Sequence, residues 1–77
     1  MKTNYRVWLT AEPSRVTDPP ELIGATYHET DARRITAKAL GQDSLRGLAK
    51  ANTESGVRFY APGADDQSGS SVEIERV

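Results

Sequence analysis

Two short alternating segments, residues 5–9 and 57–61, place the strongest constraint on how this 77-residue chain folds. Each segment alternates an apolar residue with an arginine or a large aromatic residue. Successive side chains of a β-strand point to opposite faces of a sheet, so the apolar residues are expected to face a core and the others to share the opposite face. The core-facing set is Val7, Leu9, Val57 and Phe59, and the outward set is Arg6, Trp8, Arg58 and Tyr60.

The chain between these segments predicts a further strand preceded by a loop. Residues 22–28 are rich in apolar and β-branched side chains, which favours a strand. Within it, Ile23, Ala25 and Tyr27 are expected to share one face, with Ile23 and Ala25 in the core, and Gly24 is the expected position of a β-bulge. The preceding residues 11–21 contain three prolines, which are incompatible with a regular ladder or helix, so we expect an extended loop there.

A helical region is expected after this strand. Residues 32–40 carry small apolar side chains at helical spacing, which suits close packing on a sheet. Thr30 or Asp31 is expected to cap this helix and Gly41 to end it. A second, shorter helical turn is expected over residues 45–49, with one bent helical region as the alternative to two separate segments.

The end of the chain completes the expected fold. Residues 72–76 alternate again and predict a closing strand that forms a hairpin with residues 57–61. Strands at both ends with a helix between them indicate an α+β fold in a single domain, residues 1–77. We expect a small antiparallel sheet of three or four strands, in the order β-β-α-β-β, with helix packed on one face. The expected core is Val7, Leu9, Ile23, Ala25, Ile35, Ala39, Leu40, Leu45, Leu48, Val57, Phe59, Val72 and Ile74.

The sequence lacks the residue combinations that metal binding and catalysis need. There is no cysteine and His28 is the only histidine, so residues 28–31 cannot complete the four-ligand set of structural zinc. Asp65 and Asp66 lie in a Gly- and Ser-rich loop without the alternating acidic ligands of a calcium loop. We therefore expect no metal, no cofactor and no enzymatic activity.

The net charge and the length of the apolar segments restrict the partners and the cellular location that we expect for the protein. The formal net charge is −1, from 10 basic and 11 acidic residues, so no whole-molecule field attracts nucleic acid or anionic lipid. No apolar run is long enough to cross a bilayer, and the first residues lead into a strand rather than the apolar core of a signal peptide. Because the chain also has no cysteine, we expect a cytoplasmic protein without a membrane partner.

A group of basic residues in the helical region is one candidate binding surface. Its members are Arg33, Arg34, Lys38, Arg46 and Lys50. A basic strip of this kind suits the phosphate backbone of RNA or single-stranded DNA. Helix surfaces carry Lys and Arg routinely, so a solvated face is the favoured interpretation of the strip. Nucleic-acid binding through it, or through the aromatic sheet face, is the alternative function.

The outward residues of the strands form the other candidate surface, which two glutamates of the closing strand are expected to join. The full set is Arg6, Trp8, Arg58, Tyr60, Glu73 and Glu75. Trp, Tyr and Arg are enriched in protein–protein hot spots. Bases can also stack on such aromatics, but the glutamates would repel phosphate, which favours a protein partner. Ordinary cross-strand pairs on a solvated sheet are the competing interpretation.

These observations predict a non-enzymatic protein-binding module, a small inhibitor or adaptor that masks a surface of a larger protein or nucleoprotein partner. In size and lack of catalytic residues, the chain is similar in kind to the proteins with which phages and mobile elements block host defence, such as anti-CRISPR proteins. That likeness covers no specific residues and implies only action by occupying another protein's surface. Strand addition at a sheet edge and homodimerisation through the aromatic face are further routes to binding.

Overall fold

The computed structural model describes residues 3–10, 19–65 and 68–77. In these residues the chain forms five strands and one helix, numbered in chain order. The elements are β1 (Tyr5–Thr10), β2 (Glu21–Thr26), α1 (Glu29–Ala39), β3 (Lys50–Asn52), β4 (Gly56–Tyr60) and β5 (Ser71–Arg76). The α+β class and the small antiparallel sheet with a helix are confirmed, whereas the predicted strand number and the order β-β-α-β-β are wrong.

All five strands belong to one antiparallel sheet, in the order β2-β1-β5-β4-β3. β1 and β5 pair along their whole length, from Tyr5 opposite Arg76 to Thr10 opposite Ser71. β4 pairs with the other side of β5, as the hairpin prediction required. The strands with the clearest alternation therefore occupy the middle of the sheet, and β2 and β3 form its edges. Most of the proline-rich loop, residues 11–18, lies outside the described residues.

The unexpected strand is β3, which follows the segment where a second helical turn was predicted. In that segment Gly47 has a φ of 84°, a left-handed conformation that glycine adopts readily and that ends a right-handed helix. Only one turn forms, in which the Leu48 N–H donates to the carbonyl of Leu45 at 3.2 Å. The chain then pairs with β4, and all three residues of β3 are exposed. Backbone pairing, and not an apolar pattern, accounts for this strand.

The helix begins earlier than its sequence pattern suggested. α1 starts at Glu29 with His28 at the N-cap position, and no side chain caps it. The predicted caps Thr30 and Asp31 lie inside the first turn instead. Glu29 and Asp31 place negative charge at the positive end of the helix dipole, which typically stabilises a helix by about 0.3–1 kcal/mol each. Gly41, with a φ of 72°, follows the helix end as predicted.

The core lies between α1 and the three strands over which the helix packs, β1, β2 and β5. Its buried apolar residues are Val7, Ala32, Ala37, Leu40, Leu45, Phe59, Val72 and Ile74. Partly buried residues packed against them are Tyr5, Leu9, Ile23, Ile35, Leu48, Val57 and Ala61. Thr36 is also fully buried, and its hydroxyl donates to the carbonyl of Ala32 at 2.8 Å, so no polar group is left unpaired there.

Two predicted core residues, Ala25 and Ala39, are exposed. A bulge in β2 interrupts the alternation from which the burial of Ala25 was predicted. As a result Ile23 packs against the core, while Ala25 lies opposite Arg6 on the sheet face away from the helix. At the C-terminal end of α1, the buried residue is the C-cap Leu40 instead of Ala39, and Leu40 packs in the core.

Gly24 lies next to this bulge, as the sequence predicted, and permits close contact between sheet and helix. A Cβ atom at this position would lie 2.8 Å from the Cδ1 of Ile35 on α1. We call the sheet face that α1 packs against the helix side, and the opposite face the outer face. Because α1 packs over β1, β2 and β5, the helix side of β4 and β3 forms the floor of a cleft beside the helix.

Candidate functional site

The strand register places the outward set on the outer face. Glu75 lies opposite Arg6, and Glu73 lies between Trp8 on β1 and Arg58 on β4. Residues directly opposite one another in adjacent strands have side chains on the same face of the sheet. The three neighbouring strands β1, β5 and β4 therefore present these five side chains as one surface.

Glu75 holds the β1 side of this surface. Its Oε1 accepts a hydrogen bond of 2.8 Å from the indole Nε1 of Trp8, which reaches diagonally across the strand pair. The same oxygen lies 3.6 Å from Nε of Arg6. The side chains of Arg6 and Glu75 are 43% and 29% exposed, so this ion pair is accessible to solvent. One carboxylate thus fixes the orientation of both residues.

Glu73 holds the β4 side in the same manner. Its Oε1 lies 3.5 Å from Nη2 of Arg58, and its Oε2 accepts a 2.6 Å hydrogen bond from the Thr53 hydroxyl. The hydroxyl of Thr53 in turn accepts a 3.0 Å hydrogen bond from the backbone N–H of Gly56. Sequence reasoning missed Thr53, because it lies outside the alternating segments. The Nε of Arg58 is buried and has no hydrogen-bond partner among the described residues.

Tyr60 departs from the exposed position that the alternation predicted. Its register opposite Ser71 puts it on the outer face, yet it is only 8% exposed, and Ser71 is 4% exposed. Both residues lie where β4 ends and β5 begins. Tyr60 therefore offers little surface to a partner. Leu22, which is 48% exposed and lies opposite Trp8, adds apolar surface that the sequence did not predict.

A second surface lies on the helix side, where most of the predicted basic strip meets in one cleft. We call it the basic cleft; α1, the turn at residues 43–48, β3 and β4 line it, and its volume is about 760 Å³. Four cationic side chains and a single carboxylate, that of Asp43, are among its lining residues. The cations are Arg33, Arg34, Arg46 and Lys50. Lys38, the fifth member of the predicted strip, does not line it.

The cations of the basic cleft differ in how they are held. The guanidinium of Arg33 lies 5.4 Å from the ring centroid of Phe59 and 4.0 Å from the Glu29 carboxylate. Arg34 forms an exposed ion pair of 3.4 Å with Asp31. The remaining two, Arg46 and Lys50, form no ion pair within the described residues.

The basic cleft continues into a second lobe of about 680 Å³. Arg33, Lys50 and Phe59 line both lobes. The second lobe adds Arg76, at the end of β5, together with the carboxylates of Glu29 and Glu54, so its charge is more balanced. Positive charge is therefore concentrated at the first lobe and at the junction.

The residues weighed for metal binding are not brought together. His28 is exposed at the start of α1. In the described part of the chain, no three His, Cys, Asp or Glu side chains are grouped closely enough to hold a metal ion. Asp66 of the acidic loop lies outside that part. None of the helices described there is long and apolar enough to span a membrane.

Comparison of the chain with family models, with curated proteins and with solved structures returned no significant match. The functional argument therefore rests on the two surfaces, the outer face and the basic cleft.

Proposed function

We propose that the protein is a non-enzymatic binding module, a small cytoplasmic inhibitor or adaptor that masks a surface of a larger protein through its outer face. The observation that carries the proposal is the fixed cluster of Arg6, Trp8 and Arg58, held by two glutamates across three adjacent strands. An inhibitor that a phage or mobile element directs at host defence, such as an anti-CRISPR protein, is the specific form of this proposal.

The composition and rigidity of the outer face both support binding. Tryptophan and arginine are the residues most enriched in interface hot spots. Here their orientation is set before any partner arrives, because Glu75 binds Trp8 and Glu73 binds Arg58. A preorganised surface loses less side-chain entropy on association, which leaves more of the contact energy as affinity.

The charges of the outer face indicate what kind of partner would be complementary to it. The surface carries two arginines and two glutamates, so the complementary partner has an apolar pocket for Trp8 surrounded by charges of both signs.

The experiment is affinity capture from nuclease-treated bacterial lysate with wild-type protein and two variants. Trp8→Ala removes the central side chain of the outer face, and Lys38→Ala is the control, because Lys38 is exposed on α1 and forms no ion pair among the described residues. We expect a stoichiometric protein partner with wild type and Lys38→Ala, and its loss with Trp8→Ala.

Two results would contradict the proposal. One is unchanged capture by a Trp8→Ala protein that is folded by circular dichroism. If that variant fails to fold, Arg6→Ala, whose side chain is 43% exposed, takes its place. The other is a concentration-dependent dimer in light scattering that Trp8→Ala abolishes, because the outer face would then bind a second copy of the chain.

A further inference from the structure

We propose that the basic cleft binds the phosphodiester backbone of single-stranded nucleic acid. This site is separate from the proposed function, because the cleft lies on the helix side of the sheet and the outer face lies on the other. A partner can thus occupy one surface while the other stays free. Either proposal can therefore be contradicted without affecting the other.

Charge is the first argument. Four cations and one carboxylate line the first lobe, although the whole chain has a net charge of −1. Arg33 and Arg34 are paired with Glu29 and Asp31 beside the lobe, so its excess positive charge lies at Arg46 and Lys50. Positive charge is therefore concentrated at this cleft rather than spread over the molecule. A concave site lined by one sign of charge focuses the electrostatic field and raises the local concentration of an opposite charge.

The second argument is that two of the cations are not engaged in ion pairs and a third is held in place. Arg46 and Lys50 have no ion-pair partner within the described residues, so an arriving phosphate does not have to displace a carboxylate from them. Arg33 is positioned differently, by the ring of Phe59 and the carboxylate of Glu29. A guanidinium held in this way loses less rotamer freedom when it donates to a phosphate.

The aromatic content of the cleft indicates how the strand is bound. Phe59 is the only aromatic side chain among the described residues that line the first lobe, and it is 1% exposed, so it cannot stack with a base. The second lobe adds one aromatic side chain, Tyr5, which is partly buried against the core. The ligand is therefore held by its backbone with little preference for base sequence, and the affinity depends strongly on salt.

The position of the cations favours a single strand. α1 contributes Arg33 and Arg34, and the turn at residues 43–48 contributes Arg46, to one concave surface. A flexible single strand can follow such a surface, whereas a duplex, with a persistence length of about 150 base pairs, cannot bend into it. The second lobe shares Arg33 and Lys50 with the first, and it extends the path towards Arg76 at the end of β5.

The salt dependence gives a quantitative expectation. For single strands the slope of log K against log salt is about −0.7 for each phosphate contact. Four contacts give a slope of about −2.8, which is a loss of about 50-fold in affinity between 50 and 200 mM salt. Removal of two contacts reduces the slope to about −1.4 and the loss over the same range to about sevenfold.

The test is fluorescence anisotropy with labelled oligo-dT and oligo-U across this salt range. The test variant is Arg46→Ala/Lys50→Ala, at two exposed positions. The control is Lys38→Glu, which lowers the net charge by the same two units at an exposed position that does not line the cleft. We expect the shallower slope in the test variant alone, with the wild-type slope retained in the control. Binding of either oligonucleotide supports the site, and the comparison shows whether DNA or RNA is preferred.

Four results would overturn the proposal. They are no binding of either oligonucleotide at 50 mM salt, an equal effect of the control variant, equal or tighter binding of a duplex of the same length, and equal competition by a polyglutamate peptide. The second would show a net-charge effect, and the last would identify an acidic protein segment as the occupant. None of the four affects the outer face, because Trp8→Ala tests that surface alone.

Discussion

The carboxylate of Glu73 joins β5 to β4 and to the segment that connects β3 with β4. Its Oε2 accepts a 2.6 Å hydrogen bond from Thr53, and its Oε1 lies 3.5 Å from Arg58 Nη2. A hydrogen bond to a charged group contributes about 1.5–3 kcal/mol, and an exposed ion pair about 0.2–1 kcal/mol. The side chain is 22% exposed, so the lower half of each range applies. We therefore expect Glu73→Ala to lower the free energy of unfolding by about 2–3 kcal/mol, which for a domain of this size corresponds to about 10–20 °C in Tm.

Urea unfolding followed by the fluorescence of Trp8, the only tryptophan, measures this change. The control is Glu54→Ala, at an exposed carboxylate with no ion pair in the described part of the chain, where we expect a change within about 0.5 kcal/mol. Glu73→Gln keeps an acceptor for Thr53 but removes the charge, so we expect an intermediate loss of about 1 kcal/mol. A Glu73→Ala protein as stable as the Glu54→Ala control would refute this account of the outer face.

Three further substitutions test the packing and the hydrogen bonds by the same urea assay. Val7→Ala removes two methyl groups from a side chain with 0% exposure, and we expect the free energy of unfolding to fall by about 2–3 kcal/mol. A much smaller decrease would show that the core around Val7 is loosely packed. Gly56→Ala would place a Cβ against the carbonyl oxygen of Ile74, so the strands must shift, and we expect a loss of about 1–3 kcal/mol; an unchanged urea midpoint would contradict the close approach of β4 and β5. Trp8→Phe keeps an aromatic ring but loses the hydrogen bond to the Glu75 carboxylate, for which we expect a loss of about 1.5–2 kcal/mol. Because this variant lacks the tryptophan, its urea unfolding is followed by circular dichroism, and no loss would mean that this bond contributes nothing.

The middle of the sheet was predictable because alternation acts within a single strand. In β1, β4 and β5 each residue's face follows from its position in the sequence, so the pairing of Arg6 with Glu75 and of Arg58 with Glu73 could be anticipated in outline. The edge strand β3 could not, because it has no apolar pattern and forms by pairing with β4. The position of Ala25 depended on a bulge, whose effect on register is fixed only when two strands meet.

The candidate surfaces show the same division between local and long-range information. Helical spacing makes neighbours of Arg33 and Arg34, but their approach to Arg46 and Lys50 depends on the turn at Gly47 and on where β3 pairs. Burial of Tyr60 likewise depends on packing where β4 ends, which alternation alone does not describe.

The most direct test of the central claim is the side-by-side capture experiment with Trp8→Ala and the cleft variant Arg46→Ala/Lys50→Ala. The outer face and the basic cleft lie on opposite sides of the sheet, so each variant changes one surface only. We predict that the captured protein partner is lost with Trp8→Ala and retained with the cleft variant after nuclease treatment. Retention with Trp8→Ala and loss with the cleft variant would contradict the account and move protein binding to the helix side.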